Sequence, residues 1–137
     1  MTRRPGIPRS TPARTVGRVA LASGLVFAGA SHLFWARREF RAQVPSWVPM
    51  DADAVVVGSG VVEIGLGGAL LALPRERSRI GAIVAAFFIA IFPGNIAQWA
   101  ERRSAFGLTT DRARLVRLFF QPLLVALAMW STRPARP

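Results

Sequence analysis

Residues 52–98 read ADAVVVGSGVVEIGLGGALLALPRERSRIGAIVAAFFIAIFPGNIAQ, and the fold class follows from this stretch. Two apolar runs, Ala52 to Leu73 and Ile80 to Gln98, are each long enough, at about 1.5 Å of helix per residue, to cross a hydrocarbon layer of about 30 Å. Only PRERSR, residues 74–79, parts them. Pro74 ends the first run because it has no N–H to donate and its ring clashes with the preceding turn. So short a connection returns the second run alongside the first as an antiparallel neighbour.

Toward the N-terminus, REFRAQVPSWVPMD (38–51) sets Pro45 and Pro49 around Trp47, which predicts an extended or turning interfacial segment rather than a helix. Before it lies a further span, Val16 to Ala36, stopped by Arg37, Arg38 and Arg41. Toward the C-terminus, ERRSAFGLTTDR (101–112) leads into a fourth span over about 113–131. Trp35, Trp99 and Trp130 fall at span ends, where indole rings favour the headgroup boundary. The expectation is an all-α protein: an integral membrane four-helix bundle, antiparallel and up-down, over 16–131. Residues 1–15, MTRRPGIPRSTPART, hold almost nothing to bury and are expected to be disordered, and 132–137 form a short C-terminal tail. A twin-arginine export signal ending at Ala28, Gly29 and Ala30 is the competing reading of the first hundred-odd atoms of backbone, but the apolar run continues through Leu33, Phe34 and Trp35.

Composition agrees with burial in lipid. A 137-residue chain that is 52% hydrophobic, with a mean hydropathy of +0.35, has more apolar surface than a water-soluble core of its size hides. All 18 basic residues are arginine, and they give a net charge of +11. They flank the apolar runs instead of forming one basic face, so membrane lipids are the expected partner and nucleic acid is not. The N-terminal tail, the 74–79 loop and the C-terminal tail share nine arginines against six in the other two loops. The positive-inside rule then puts both termini of a multi-pass membrane protein in the cytoplasm. With no cysteine, the chain itself carries no disulfide, thiolate nucleophile or dithiol relay. With one histidine, it lacks the ligand set for a catalytic zinc or a haem. No residue is assigned to catalysis, and the chain is not expected to act as an enzyme on its own.

In lipid, helices associate through small residues rather than through the hydrophobic effect. Ala20, Gly24 and Ala28 on the first span, Gly60 and Gly67 on the second, and Ala82, Ala86, Ala90 and Gly94 on the third are expected to be packing seams. Against this background His32, Glu63, Asn95, Gln98, Arg117 and Gln121 stand out, because polar groups at membrane depth are costly and normally face the protein interior. With alternating helix directions, His32, Asn95 and Arg117 fall in one membrane half, Glu63 near mid-depth, and Gln121 between the two levels. The expectation is a polar track running inward from one surface to Glu63. Pro93 and Pro122 free the carbonyls of Ile89 and Leu118 beside it. Two plainer readings stand next to a ligand or proton site: a satisfied core in which Glu63 pairs with Arg117, and an Arg117 that snorkels to the headgroups.

The motifs GASHLFW (29–35), VPSWVP (44–49), GSGVVEIGLGGALLALP (58–74), FPGNIAQW (92–99) and RLFFQP (117–122) together resemble the DoxX family, in that family's order, over about residues 20–130. Gly94, where that family often has alanine, and Phe119, where proline is common, depart from its pattern. The resemblance implies a four-helix bundle in the bacterial cytoplasmic membrane and carries over His32, Glu63, Asn95, Arg117 and Gln121 as ligand-binding or proton-relay positions. It further implies an accessory subunit of a membrane redox complex that binds a quinone or a similar lipophile, headgroup at Glu63 and tail toward Phe88, Phe92, Phe119 and Phe120. Glu63 would exchange a proton with the headgroup and His32 would relay it, with the electron acceptor supplied elsewhere. A small proton-coupled transporter and a structural or assembly protein without a ligand remain alternatives, and so bundle-to-bundle pairing into a homo-oligomer stays open.

Overall fold

In the computed structural model, which describes residues 6–105 and 107–136, every regular element is an α-helix. In chain order these are α1 (Pro12–Phe34), α2 (Arg37–Arg41), α3 (Ala52–Ala72), α4 (Arg77–Ala100), α5 (Asp111–Leu118) and α6 (Phe120–Thr132). Four stretches are long and apolar enough to cross a membrane: α1, α3, α4 and the run Asp111–Thr132 that contains α5 and α6.

The helix ends follow local chemistry. Thr11, Asp51 and Thr110 cap α1, α3 and α5, each accepting from the backbone N–H three residues on. Pro12 begins α1, where its missing N–H costs nothing. α1 therefore starts earlier than expected: residues 12–15, anticipated as disordered, are helical. Residues 6–11 are not helical, yet the Arg9 carbonyl accepts from Ala135 N at 2.9 Å and from Arg77 Nη2 at 2.6 Å. The rest of the anticipated disordered tail, residues 1–5, lies outside the described residues. The interfacial segment also differs in part, because Arg37–Arg41 winds into one helical turn before Pro45 and Pro49 enforce irregular backbone. In the last span a break at Phe119 separates α5 from α6, three residues before Pro122, which cannot bond the Leu118 carbonyl. Pro93, by contrast, sits inside a continuous α4.

The tightest helix seam joins α1 to α3. A Cβ on Gly60 would lie 2.8 Å from His32 Cβ and 2.9 Å from the Gly29 carbonyl oxygen, and one on Gly67 would lie 2.7 Å from the Ala22 carbonyl oxygen. Only glycine permits backbones so close. Along this seam residue numbers rise on α1 as they fall on α3. The other expected stripes pack little or only at one end, where Gly94 is buried. A Cβ on Gly24 would meet nothing within 4 Å, and Ala82 and Ala86 are exposed, while α4 buries Gly81, Val84, Ala85 and Phe88 instead. Four-residue spacing selects a face of a helix but not the neighbour it meets.

Leu21, Ala22, Leu25, Leu70, Ile80, Val84, Ala85, Phe88 and Ala128 form one apolar core among α1, α3, α4 and α6. The outer surface is apolar too: Val16, Phe27, Val61, Ile83, Ile89 and Leu123 are all exposed. Phe119 and Phe120 are 67% and 60% exposed, so they point away from the interior, contrary to the expectation that they receive a ligand tail.

Candidate functional site

Beyond the apolar core, the space between the helices opens into a cavity of about 580 Å³. His32, Glu63, Asn95, Arg117 and Gln121, from α1, α3, α4, α5 and α6, all contribute to its wall. The five positions expected as a polar track thus come to one place. Ala20, Gly24 and Ala28 supply a smooth small-residue wall on α1. Phe88 is the one phenylalanine of the expected tail-binding set that reaches the cavity.

His32 is held from three directions. Its Nδ1 lies 2.7 Å from the Ala28 carbonyl oxygen and 3.1 Å from Glu63 Oε2, and its ring stacks on Phe40 of α2 with centroids 3.4 Å apart and planes 16° from parallel. A carbonyl oxygen only accepts, so Nδ1 carries a proton and donates it to Ala28. Glu63 Oε2 approaches the same nitrogen but receives no hydrogen bond from the described residues, although Glu63 is only 5% exposed. The acid faces His32, and for the reading that pairs Glu63 with Arg117 no ion pair between the two is found among the described residues. Both groups reach the same cavity from different helices, and helix periodicity gives the depth of a side chain without the direction in which a neighbouring helix presents its own.

A second polar arrangement links α4 to α6. Asn95 Nδ2 donates to Gln121 Oε1 at 3.1 Å, and Gln121 Nε2 donates to the Phe88 carbonyl at 2.9 Å. Both residues are buried, and this chain satisfies Gln121 in both directions. The carbonyl it reaches is the one before Ile89, whose own bond Pro93 cannot make.

The segment after α2 closes over these groups. Gln43, Val44, Pro45, Trp47 and Val48 line the cavity, and Gln43 Nε2 donates to Gln98 Oε1 at 3.1 Å. A Cβ on Gly94 would collide with the Gln43 carbonyl oxygen, so glycine there is what lets the segment approach α4. Arg103 fastens the same segment by donating to the Val44 carbonyl at 2.6 Å and to the Ala42 carbonyl at 3.3 Å. Arg103 is itself paired with Glu101, which accepts from Ser46 Oγ at 2.9 Å. Phe40 and Gln43 belong to the site and were not among the expected residues. The prolines around Trp47 signalled irregular backbone, but nothing in that pattern said that it folds inward.

Among the described residues no three His, Cys, Asp or Glu side chains gather as a metal site. What the arrangement offers is a buried carboxyl oxygen in need of a donor, a fixed imidazole beside it, and a largely apolar space in front of both.

No curated protein and no solved structure matches the chain. A family model does match, over residues 21–132, and it is described as a domain of unknown function (DUF8561) rather than as DoxX. That finding overturns the family resemblance drawn from the five motifs. Four of the five motifs set a polar residue or proline in an apolar helix, and the fifth, 44–49, is a proline-bounded loop. Features of both kinds recur wherever apolar helices must satisfy a polar group or be joined, so they do not single out one family. By the match over most of its length, the chain belongs to the DUF8561 family.

Proposed function

We propose that this protein is a four-span integral membrane protein, an antiparallel up-down bundle with both termini in the cytoplasm, that holds a small amphipathic molecule in the cavity beside Glu63. The observation that carries this reading is Glu63 Oε2, buried, without a hydrogen-bond donor, and facing a space of about 580 Å³. A buried acceptor left unpaired costs about 1–3 kcal/mol, more when it is charged, and a ligand hydroxyl or amine would remove that cost. The volume lies in the range of sites for drug-sized molecules, and the wall is mainly apolar with a few convergent polar groups. The exposed apolar outer surface and the opposed α1–α3 contacts support the membrane arrangement.

The ligand class follows from the donor rule: a head bearing O–H or N–H, on an apolar body entering along the Ala20, Gly24 and Ala28 wall. A quinone meets it only in the reduced, hydroxyl-bearing form. The redox-subunit role was implied by the DoxX resemblance and loses its basis with it.

The test uses the full chain in lipid nanodiscs, with 4-nonylphenol as probe and nonylbenzene, which lacks the hydroxyl, as control. The phenol should raise the melting temperature more than the hydrocarbon does, and Glu63→Gln should lower phenol affinity about tenfold, as the loss of a hydrogen bond to a charged group does. Equal response to both probes in the native chain would sink the reading and leave a structural role for the polar cluster.

A further inference from the structure

The opposite end of the molecule carries a second unsatisfied arrangement, of the other sign. There the starts of α1 and α4 meet the end of α6: Arg77 Nη2 reaches the Arg9 carbonyl, Arg14 Nη1 donates to the Pro134 carbonyl at 2.9 Å, and Ser78 Oγ to the Thr132 carbonyl at 3.0 Å. Arg77 is 1% exposed, yet its Nε has no hydrogen-bond partner among the described residues. Nε and Nη1 of Arg18 are likewise buried and unpartnered. The Arg9 carbonyl that Arg77 holds also accepts from Ala135 N at 2.9 Å, next to the Pro134 carbonyl held by Arg14, and Arg18 follows Arg14 by one turn on the same face of α1.

Nothing acidic offsets this gathering. The segments that meet here, residues 6–18, 73–81 and 130–136, contain one acidic residue, Glu76, and it pairs with Arg79 at 3.2 Å. α1 has no acid at its N-cap or in its first turn, so the positive end of its dipole adds to the guanidinium charges, whereas α4 starts behind Glu76 at its N-cap. Three like charges, with buried N–H groups unpaired, would be offset by an anion that accepts from them. Guanidinium forks match the paired oxygens of a carboxylate or a phosphate, and a phosphate has the further oxygens and charge to meet several arginines at once.

We propose that Arg14, Arg18 and Arg77 form a binding site for one phosphate group, as carried by an anionic lipid headgroup or by a soluble phosphate. The site would use the unpaired N–H groups of Arg18 and Arg77 as donors once the Arg side chains turn toward the anion, with Arg14 as a charge at its edge. A lipid source depends on the membrane reading above, because it needs this end at the headgroup level; a soluble source does not.

The experiment uses the full chain in dodecyl maltoside and reads melting temperature together with lipid retained in native mass spectrometry. One arm adds phosphatidylglycerol against phosphatidylcholine; the other adds millimolar inorganic phosphate against chloride at equal ionic strength. Native protein should respond in at least one arm, and Arg18→Gln should weaken that response about tenfold, the loss expected when a charge-assisted hydrogen bond is removed. Arg112→Gln, an exposed arginine at the far end, should leave it unchanged. A response to phosphatidylglycerol alone identifies the headgroup as the source, and a response to inorganic phosphate identifies a soluble one. Silence in both arms overturns the proposal, and so does an equal loss in Arg112→Gln. Should Arg77→Gln fail to fold, Arg18→Gln and Arg77→Lys still decide the matter. Nonylphenol binding should be untouched by Arg18→Gln, so the two sites fail or stand separately.

Discussion

His32 and Glu63 approach to 3.1 Å across the α1–α3 seam, and they can do so because Gly29 and Gly60 bring the two backbones together directly beside them. The polar contact and the glycine contact are one feature. A methyl group on Gly60 would lie 2.8 Å from His32 Cβ, so widening the seam displaces the imidazole from the carboxyl.

Gly60→Ala and Gly24→Ala should therefore move stability in opposite directions. Overpacking at Gly60 costs about 1–3 kcal/mol, only partly offset by the roughly 1 kcal/mol of helix propensity that alanine gains. At Gly24 a methyl meets nothing within 4 Å, so the propensity gain of up to about 1 kcal/mol should appear almost undiminished. Unfolding of both variants in mixed micelles measures the contrast. Equal destabilisation would mean that Gly24, too, packs against a neighbour.

Because Gly24 lines the cavity, the larger substitution Gly24→Phe separates occupancy from folding. It should keep the helical circular dichroism spectrum and abolish the nonylphenol-induced rise in melting temperature. Retained binding would place the ligand elsewhere.

The spans were legible because the apolar runs are long and the breaks between them are charged or proline-rich. The five polar positions were legible for the complementary reason: a polar group in an apolar run has to go somewhere, and in a small bundle the interior is the available place. Partner choice was not. Sequence depth put Arg117, Asn95 and His32 at similar levels, but which of them meets Glu63 depends on helix rotation, which small apolar residues on every face leave undetermined. The Ala82, Ala86, Ala90 and Gly94 stripe shows the same ambiguity, since it repeats at helical spacing and yet Ala82 and Ala86 are exposed while Ala90 lines the cavity and Gly94 meets Gln43. Phe40 and Gln43 escaped notice because the inward fold of their segment is fixed by distant residues, Gly94 and Arg103.

Asn95 and Gln121 provide a measurable link between α4 and α6. Hydrogen bonds between helices in lipid average about 0.6 kcal/mol and reach about 1.7 kcal/mol. A double-mutant cycle with Asn95→Ala and Gln121→Ala should give a coupling inside that range. Gln121→Ala should be the more damaging single change, because it strips a partner from Asn95 and from the Phe88 carbonyl together. A coupling near zero would show that the two amides act independently.

Arg103 should govern how freely the cavity opens. Arg103→Ala removes both bonds to the Ala42 and Val44 carbonyls, so amide hydrogen exchange over residues 43–48 should rise while α1 and α3 keep their protection. Nonylphenol should then enter and leave faster. If exchange in this segment stays unchanged, Gln43–Gln98 and the Gly94 contact hold the cover without help.

Arg102 carries a strain that a single substitution should release. Its φ of 53° lies in the left-handed region, and it occupies the residue after the α4 C-cap. Arg102 N donates to the Trp99 carbonyl at 3.2 Å and Arg103 N to the Gln98 carbonyl at 3.0 Å, the paired bonds of a Schellman ending, in which glycine usually takes the left-handed position. An L side chain there costs about 1–2 kcal/mol. The compensating contact, Arg102 Nε to Asp111 Oδ2 at 3.7 Å, is exposed and contributes at most about 1 kcal/mol. Arg102→Gly should accordingly stabilise the protein by up to about 1 kcal/mol in a mixed-micelle unfolding titration. A net loss would instead mean that the Arg102–Asp111 pair orders the loop into α5, and Asp111→Asn would then produce a comparable loss.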